Sequence, residues 1–219
     1  MLMSMVGAKS LAHDIEAKNE DEVTIYYVWK NNRTELSVSY QGTSYSSSIY
    51  TGNVVIPESV NYEGGIYPVT SIGYSAFNGC KSLTSVTIPS GVTSIDNSAF
   101  QDCSNLISVT IPEGVTRIGT SAFDCCHKLY SMDIPNSVET IGDYAFENCI
   151  ALTDVVIPES VAEIWPGAFE GCTALKSIRL PQSLRKLSYD AFKDCSSLTE
   201  IVIPEALEEF DVRAFLNCI

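Results

Sequence analysis

An Ala-Phe pair stands at Ala76-Phe77, Ala99-Phe100, Ala122-Phe123, Ala145-Phe146, Ala168-Phe169, Ala191-Phe192 and Ala214-Phe215, each pair 23 residues after the last. A cysteine follows three residues after every Phe, at Cys80, Cys103, Cys126, Cys149, Cys172, Cys195 and Cys218. Strict repetition at this period leaves one architecture, a solenoid whose coils bury their apolar residues against one another. The 219 residues would otherwise suggest one or two globular domains. A solenoid instead lengthens by adding coils without enlarging a single core.

Within one coil, Leu83, Val86, Ile88, Val92 and Ile95 fall where a chain winding round a narrow core points inward. The frame repeats at Leu106, Val109, Ile111, Val115, Ile118 and at Leu152, Val155, Ile157, Val161, Ile164. Val86-Thr87-Ile88 alternates in, out, in, so it reads as a strand that pairs in parallel with its equivalents about 4.8 Å away. Pro89, Pro112, Pro135, Pro158, Pro181 and Pro204 lack an N–H and end each ladder. Ser98-Ala99-Phe100-Gln101 reads as a short helical turn. It is closed by the residue before each cysteine: Gly79, Asp102, Cys125, Asn148, Gly171, Asp194 or Asn217. Gly, Asn and Asp tolerate left-handed backbone; Cys125 is the odd member.

Ahead of the repeats, residues 14–22 are polar and read as loose. Val23–Trp29 and Glu35–Tyr40 read as a β-hairpin around Lys30–Thr34. Tyr45–Gly52 reads as a loop. The unit suits a cap over the open end of the solenoid, or alternatively Tyr26, Tyr27, Tyr45 and Tyr50 form an exposed binding patch. The first coil carries an insertion at 61–68, whose Glu63-Gly64-Gly65 between Tyr62 and Tyr67 reads as a hairpin tip. Residues 1–12 are short and apolar, with Ser10 and Ala12 in the small-residue pattern of a signal-peptidase site, so they read as the remnant of a secretory signal. The expected organisation is therefore a leader at 1–12, a β cap at 13–53 and a solenoid at 54–219.

Leu-x-x-Val-x-Ile-Pro-x-x-Val-x-x-Ile-Gly-x-x-Ala-Phe-x-x-Cys, as at Leu106–Cys126, resembles the leucine-rich repeats of the BspA-like (Treponema pallidum-type) family of bacterial surface proteins. The resemblance runs from about residue 54 to 218 and includes the insertion at Tyr62–Tyr67. It implies a right-handed leucine-rich-repeat solenoid of about seven coils. It also implies a secreted or surface-exposed protein that binds other macromolecules, often as an adhesin, with no enzyme activity.

The formal net charge of −14 argues against nucleic acid, whose phosphates would be repelled, and against an electrostatic hold on anionic membranes. No run approaches the ~20 apolar residues needed to span a bilayer. Eight cysteines in an exported chain invite disulfides. Seven of them are stacked ladder positions whose Cβ vectors run side by side, so buried free thiols are expected. Cys125-Cys126-His127 resembles a metal or nucleophile cluster only in passing. A zinc site needs about four converging ligands, and a Cys–His dyad needs an orienting partner.

Outward positions on the strands are expected to form a concave binding face: Ser85, Thr87, Ser108, Thr110, Ser131, Asp133, Asp154, Val156, Ser177, Arg179, Glu200 and Val202. Its first half is a Ser/Thr field, while Asp133, Asp154, Arg179 and Glu200 charge the second. Asp133 and Asp154 are the one carboxylate pair that would suit a glycosidase, whose carboxyls stand roughly 5–10 Å apart. Glu58, Glu113, Glu159 and Glu205 form a second row after the prolines, suited to solvation, and less well to calcium or a basic partner. No cofactor or metal is expected. The reading is an exported, non-enzymatic, adhesin-like module for an extracellular protein or polysaccharide. The rivals are a structural spacer within a longer surface protein and, more remotely, a glycan hydrolase.

Overall fold

A computed structural model describes residues 14–40 and 49–218. The leader at 1–12, His13 and, with Tyr45, the first half of the Tyr45–Gly52 loop lie outside the described residues.

The described residues open on three antiparallel strands, β1 (Ile15–Lys18), β2 (Thr24–Lys30) and β3 (Glu35–Ser39). The hairpin of β2 and β3 is the expected one, and its tip Asn31-Asn32-Arg33 takes left-handed backbone throughout. β1 corrects the expectation of a loose segment. Ile15 is buried, and the Asn19 side chain closes the β1–β2 turn by accepting from Asp21 N (3.1 Å) and Val23 N (2.9 Å). Asn19 Nδ2 also donates to Val55 O at 2.8 Å, which ties the cap to the first coil.

The first coil holds β4 (Gly52–Val55), β5 (Ser59–Tyr62) and β6 (Gly65–Ile72). β5 and β6 are the inserted hairpin, turned by Glu63 and Gly64 at positive φ (49° and 82°), the backbone a two-residue hairpin loop requires. Its tyrosines do not project freely. The Trp29 ring packs edge-on against Tyr67 at 4.7 Å and Tyr62 at 6.1 Å, clamping the insertion to the cap.

Each later coil contributes one strand to each of two faces, except the last, which contributes only to the second. The first face is built from β7 (Leu83–Thr87), β9 (Ser108–Thr110), β11 (Ser131–Met132), β13 (Asp154–Val156) and β15 (Ser177–Arg179), following β4. The second follows β6 through β8 (Ser94–Ile95), β10 (Arg117–Ile118), β12 (Thr140–Ile141), β14 (Glu163–Ile164), β16 (Lys186–Leu187) and β17 (Glu209–Phe210). Among the described residues, the strand pairings between coils along both faces are parallel. β3 joins the second face by pairing in parallel with β6, so the cap takes the place of a preceding coil and leaves no open edge there.

The third side is the Ala-Phe corner, where the expected short helical turn takes the form of linked tight turns. In one coil, Gln101 N donates to Ser98 O (3.1 Å) and Cys103 N to Phe100 O (3.2 Å). Alternate N–H groups leave the coil: Ser98, Phe100 and Asp102 donate to Thr120, Ala122 and Asp124 carbonyls at 2.8, 2.8 and 2.9 Å. The corner is thus a third ladder, not an isolated helix, and that alternation needs left-handed backbone at two places per coil. One is the residue before each cysteine, as expected: Gly79, Asp102, Cys125, Asn148, Gly171, Asp194 and Asn217 all have positive φ. The other, beyond the sequence expectation, precedes Ala, at Ser75, Ser98, Ser121, Tyr144, Gly167 and Asp190.

Inside this frame the Phe rings from Phe77 to Phe215 form one stack, with centroids 4.9–5.5 Å apart and planes within 8°. Tyr50 closes the stack at the cap, 4.6 Å from Phe77, while its hydroxyl accepts from Tyr26 N and donates to Ser39 O, both at 3.1 Å. Tyr26, Tyr27 and Tyr50 are all buried, which corrects the exposed-patch alternative for those three: they are the cap's own core. All eight cysteines are free. Ladder thiols donate to the Phe carbonyl of the preceding coil, as Cys103 Sγ to Phe77 O (3.0 Å) and Cys126 Sγ to Phe100 O (3.2 Å). A thiol therefore serves here as a small buried hydrophobe with a spare donor.

Candidate binding face

The first face presents its outward residues in two columns, because parallel register puts equivalent residues side by side. Ser85 is registered with Asn53 and Ser108, and Thr87 with Val55 and Thr110. Further along, Ser131, Asp154 and Ser177 are registered in turn, and Val156 faces Arg179. Ser108, Thr110, Ser131, Asp133, Asp154, Ser177 and Arg179 are all exposed on this face. Asp133 sits one residue past the end of β11, and Glu200 is exposed in a coil that forms no strand on this side. The face begins one strand earlier than expected, with Asn53 and Val55 of β4. Asn53 Oδ1 accepts from Ser85 Oγ at 2.6 Å.

Asp133 and Asp154 line one shallow depression of about 250 Å³ together with Ser131, Met132, Ile134 and Val156. The register sets Asp154 against Ser131 and Ser177, not against Asp133. Ser177 Oγ donates to Asp154 Oδ1 at 2.6 Å, and this bond holds the Asp154 carboxyl below its ordinary range. A general acid in glycoside hydrolysis needs the opposite shift. Apolar groups interrupt the polar columns: Val156 and Val202 are 58% and 70% exposed, and Ile107 and Tyr130, just before the strand columns, are 51% and 60% exposed.

The Glu row after the prolines has a structural task at two of its members. The Glu58 carboxylate accepts from Ser90 N and Ser90 Oγ at 3.1 Å, and Glu159 from Gln182 N at 2.8 Å, so each caps the turn of the next coil. Among the described residues, no three His, Cys, Asp or Glu side chains converge as metal ligands, in this row or elsewhere. At Cys125-Cys126-His127, Cys126 is fully buried and bonded to Phe100 O, while His127 is exposed. Burial pushes the Cys126 thiol well above its usual pKa, so the thiolate a nucleophile requires is disfavoured. Among the described residues, no helix is long and apolar enough to cross a membrane.

The second face carries a groove that the outward strand positions alone did not point to. Its cavity, of about 450 Å³, is lined by residues that include Asp143, Glu163, Trp165, Lys186, Tyr189 and Glu209. The one sequence signal is Trp165 itself, which stands where earlier coils have Gly73, Asp96, Gly119 and Gly142. At Gly119 and Gly142 a Cβ would come within 2.6 and 2.7 Å of the neighbouring coil's backbone, so a large residue at this position marks a local departure from the regular coil.

The model of the BspA type leucine rich repeat region matches residues 44–172 and 116–219, in six copies. The fold is similar to that of a Treponema pallidum leucine-rich-repeat protein, with 34% identity and a TM-score of 0.74 over 83% of this chain and 80% of that one. It is also similar to a leucine-rich cell surface protein of Faecalibacterium prausnitzii, with 30% identity and a TM-score of 0.78 over 94% of this chain and 52% of that one. A leucine-rich-repeat protein of Bacteroides ovatus matches at 31% identity and a TM-score of 0.64, over 84% of this chain and 52% of that one. The chain thus spans about half the length of the last two. No protein in the curated set matches it in sequence. With the 23-residue coil, the Ala-Phe corner and the cysteine ladder all in place, the chain belongs to the BspA-type leucine-rich-repeat family.

Proposed function

We propose that the chain is a non-enzymatic binding module, secreted or displayed at the cell surface, that holds an extracellular protein or polysaccharide on its first strand face in the manner of an adhesin. The observation that carries this reading is the mixed character of the face in its second half. Exposed Val156 and Val202 stand there among Asp133, Asp154, Arg179 and Glu200, on β11, β13, β15 and the stretches beside them. Apolar area gives a partner something to bury, and the interspersed charges orient it and select it. A surface location draws support from the Faecalibacterium relative, whose description is a leucine-rich cell surface protein.

The test is a screen of residues 13–219 against extracellular-matrix proteins and polysaccharides at two salt concentrations. The expected result is a saturable hit that weakens at the higher salt, because exposed charges are screened beyond roughly 8–10 Å at physiological ionic strength. A blank from well-folded protein sinks the adhesin reading in favour of a spacer. Glycan turnover that disappears on changing Asp133 or Asp154 replaces it with a hydrolase.

A further inference from the structure

The groove on the second face is separate from the proposed binding face and is built from different columns. Trp165 follows β14 and Tyr189 follows β16, one coil apart, and the two rings are 39% and 43% exposed. Tyr144 stands beside Tyr189, whose side chain is the main cause that raises the Tyr144 hydroxyl pKa to about 12. The Tyr144 ring lies over Gly167, where an added Cβ would run into it, and Gly167 also has a positive φ of 61°. Gly167 therefore serves twice, leaving room for the Tyr144 ring and adopting the backbone the corner requires.

The charge around these rings is unbalanced. Asp143, Glu163, Glu209 and Asp211 line the groove against one cation, Lys186. Lys186 Nζ is held by Glu163 at 2.9 Å and by Glu209 at 3.8 Å, so it already occupies one side. Asp143 lines the same groove, and its Oδ1 is buried with no hydrogen-bond donor from the protein. Burial, with the Glu163 charge adding to it, pushes the Asp143 carboxyl above its ordinary range. The groove therefore holds more carboxylate than its own cation neutralises, and a cation brought by a partner is drawn there.

We propose that this groove is a docking site for an arginine side chain on a partner protein, with the guanidinium stacked on Trp165 and Tyr189 and paired with the surplus carboxylates around them. Charge complementarity selects this occupant. A neutral sugar would stack on the rings but leave the surplus negative charge uncompensated. A lysine ammonium would repeat what Lys186 already supplies and cannot stack as a plane. Guanidinium is planar, always charged and weakly hydrated, and it pairs with both aromatic faces and carboxylates. The site does not depend on the first face, so either can fail without the other.

The chain contains two tryptophans, so Trp29→Phe leaves Trp165 as the single emitter in the groove. Titration with the blocked tetrapeptide Gly-Arg-Arg-Gly is expected to give a saturable change in Trp165 emission. Gly-Lys-Lys-Gly should bind several-fold more weakly and maltohexaose not at all. Asp143→Asn and Tyr189→Ala should each weaken arginine-peptide binding about tenfold, the scale of a desolvated cation–π contact. If Trp29→Phe disturbs the cap, calorimetry on the unaltered chain reads the same affinities. Equal affinity for the arginine and lysine peptides, binding unchanged in both variants, or no binding by either method overturns the proposal. So does a response to maltohexaose without one to arginine, which would reassign the groove to glycan.

Discussion

The coils before Cys126 and those after it share one interior and differ on the outside. Inside, Phe77, Phe100 and Phe123 stack as Phe146, Phe169 and Phe192 do, and Ala99 is buried as fully as Ala168. Outside, the early coils show Ser85, Thr87, Ser108 and Thr110, while the later ones show Asp133, Asp154, Arg179 and Glu200 on one face. The later coils also place Trp165 and Tyr189 on the other. An inward residue must satisfy the coil on either side of it, so its identity recurs at every turn. An outward residue meets solvent or a partner and is free to change. In this chain the period is therefore a record of packing, and departures from it are where function is to be sought.

The sharpest way to break the equivalence of the two interiors is to empty the stack in each. Phe100→Ala and Phe146→Ala remove rings with 0% exposure from matching positions, and each is expected to cost about 3–5 kcal/mol. Urea denaturation measures both. Losses that differ by more than about 1 kcal/mol, beyond what extrapolation error allows, would show that the halves are not built alike.

A smaller effect separates the two exteriors by pH. Glu58, in the first coil, accepts from Ser90 N, and that bond holds its carboxyl below the ordinary range. Its contribution to stability is present above the unfolded pKa and is lost as pH falls through the folded one. Asp143, in a later coil, is shifted upward by burial, so its folded state holds the proton more tightly. Its penalty is absent below the unfolded pKa and complete above the raised folded one. Glu58→Gln should therefore lower the melting temperature at pH 7 and leave it unchanged in strong acid. Asp143→Asn should raise it slightly at pH 7, with the gain vanishing at pH 3. Melts of the two variants moving in the same direction at pH 7 would contradict this contrast.

What was legible in the sequence follows the same division. The Leu, Val, Ile, Ala, Phe and Cys rows were readable because each must fill the same space in every coil. The left-handed residue before each cysteine was readable because Gly, Asn and Asp mostly stand there. The second left-handed row was not, since Ser75, Ser98, Ser121 and Tyr144 carry no such mark. There the inter-coil hydrogen bonds, not side-chain preference, impose the backbone. β1 was hidden because Ile15-Glu16-Ala17-Lys18 offers two apolar residues in a charged stretch, and its partner β2 supplies the rest. Tyr26, Tyr27 and Tyr50 looked like surface residues because their cover, the end of the solenoid, lies far along the chain. The second groove escaped for a related reason: Trp165 and Tyr189 become neighbours only when β14 and β16 stack.

The claim that packing and recognition are separable can be tested by giving the later coils the outer residues of the earlier ones. Asp133→Thr, Asp154→Ser, Arg179→Thr and Glu200→Ser restore the Ser and Thr columns of β7 and β9 without touching a buried side chain. The decisive measurement compares this fourfold variant with the unaltered chain, in thermal melting and in binding to the partner found by the matrix and polysaccharide screen. The account predicts a melting curve that superimposes and binding that is lost. Binding retained at full strength would contradict it, and so would a variant that no longer folds.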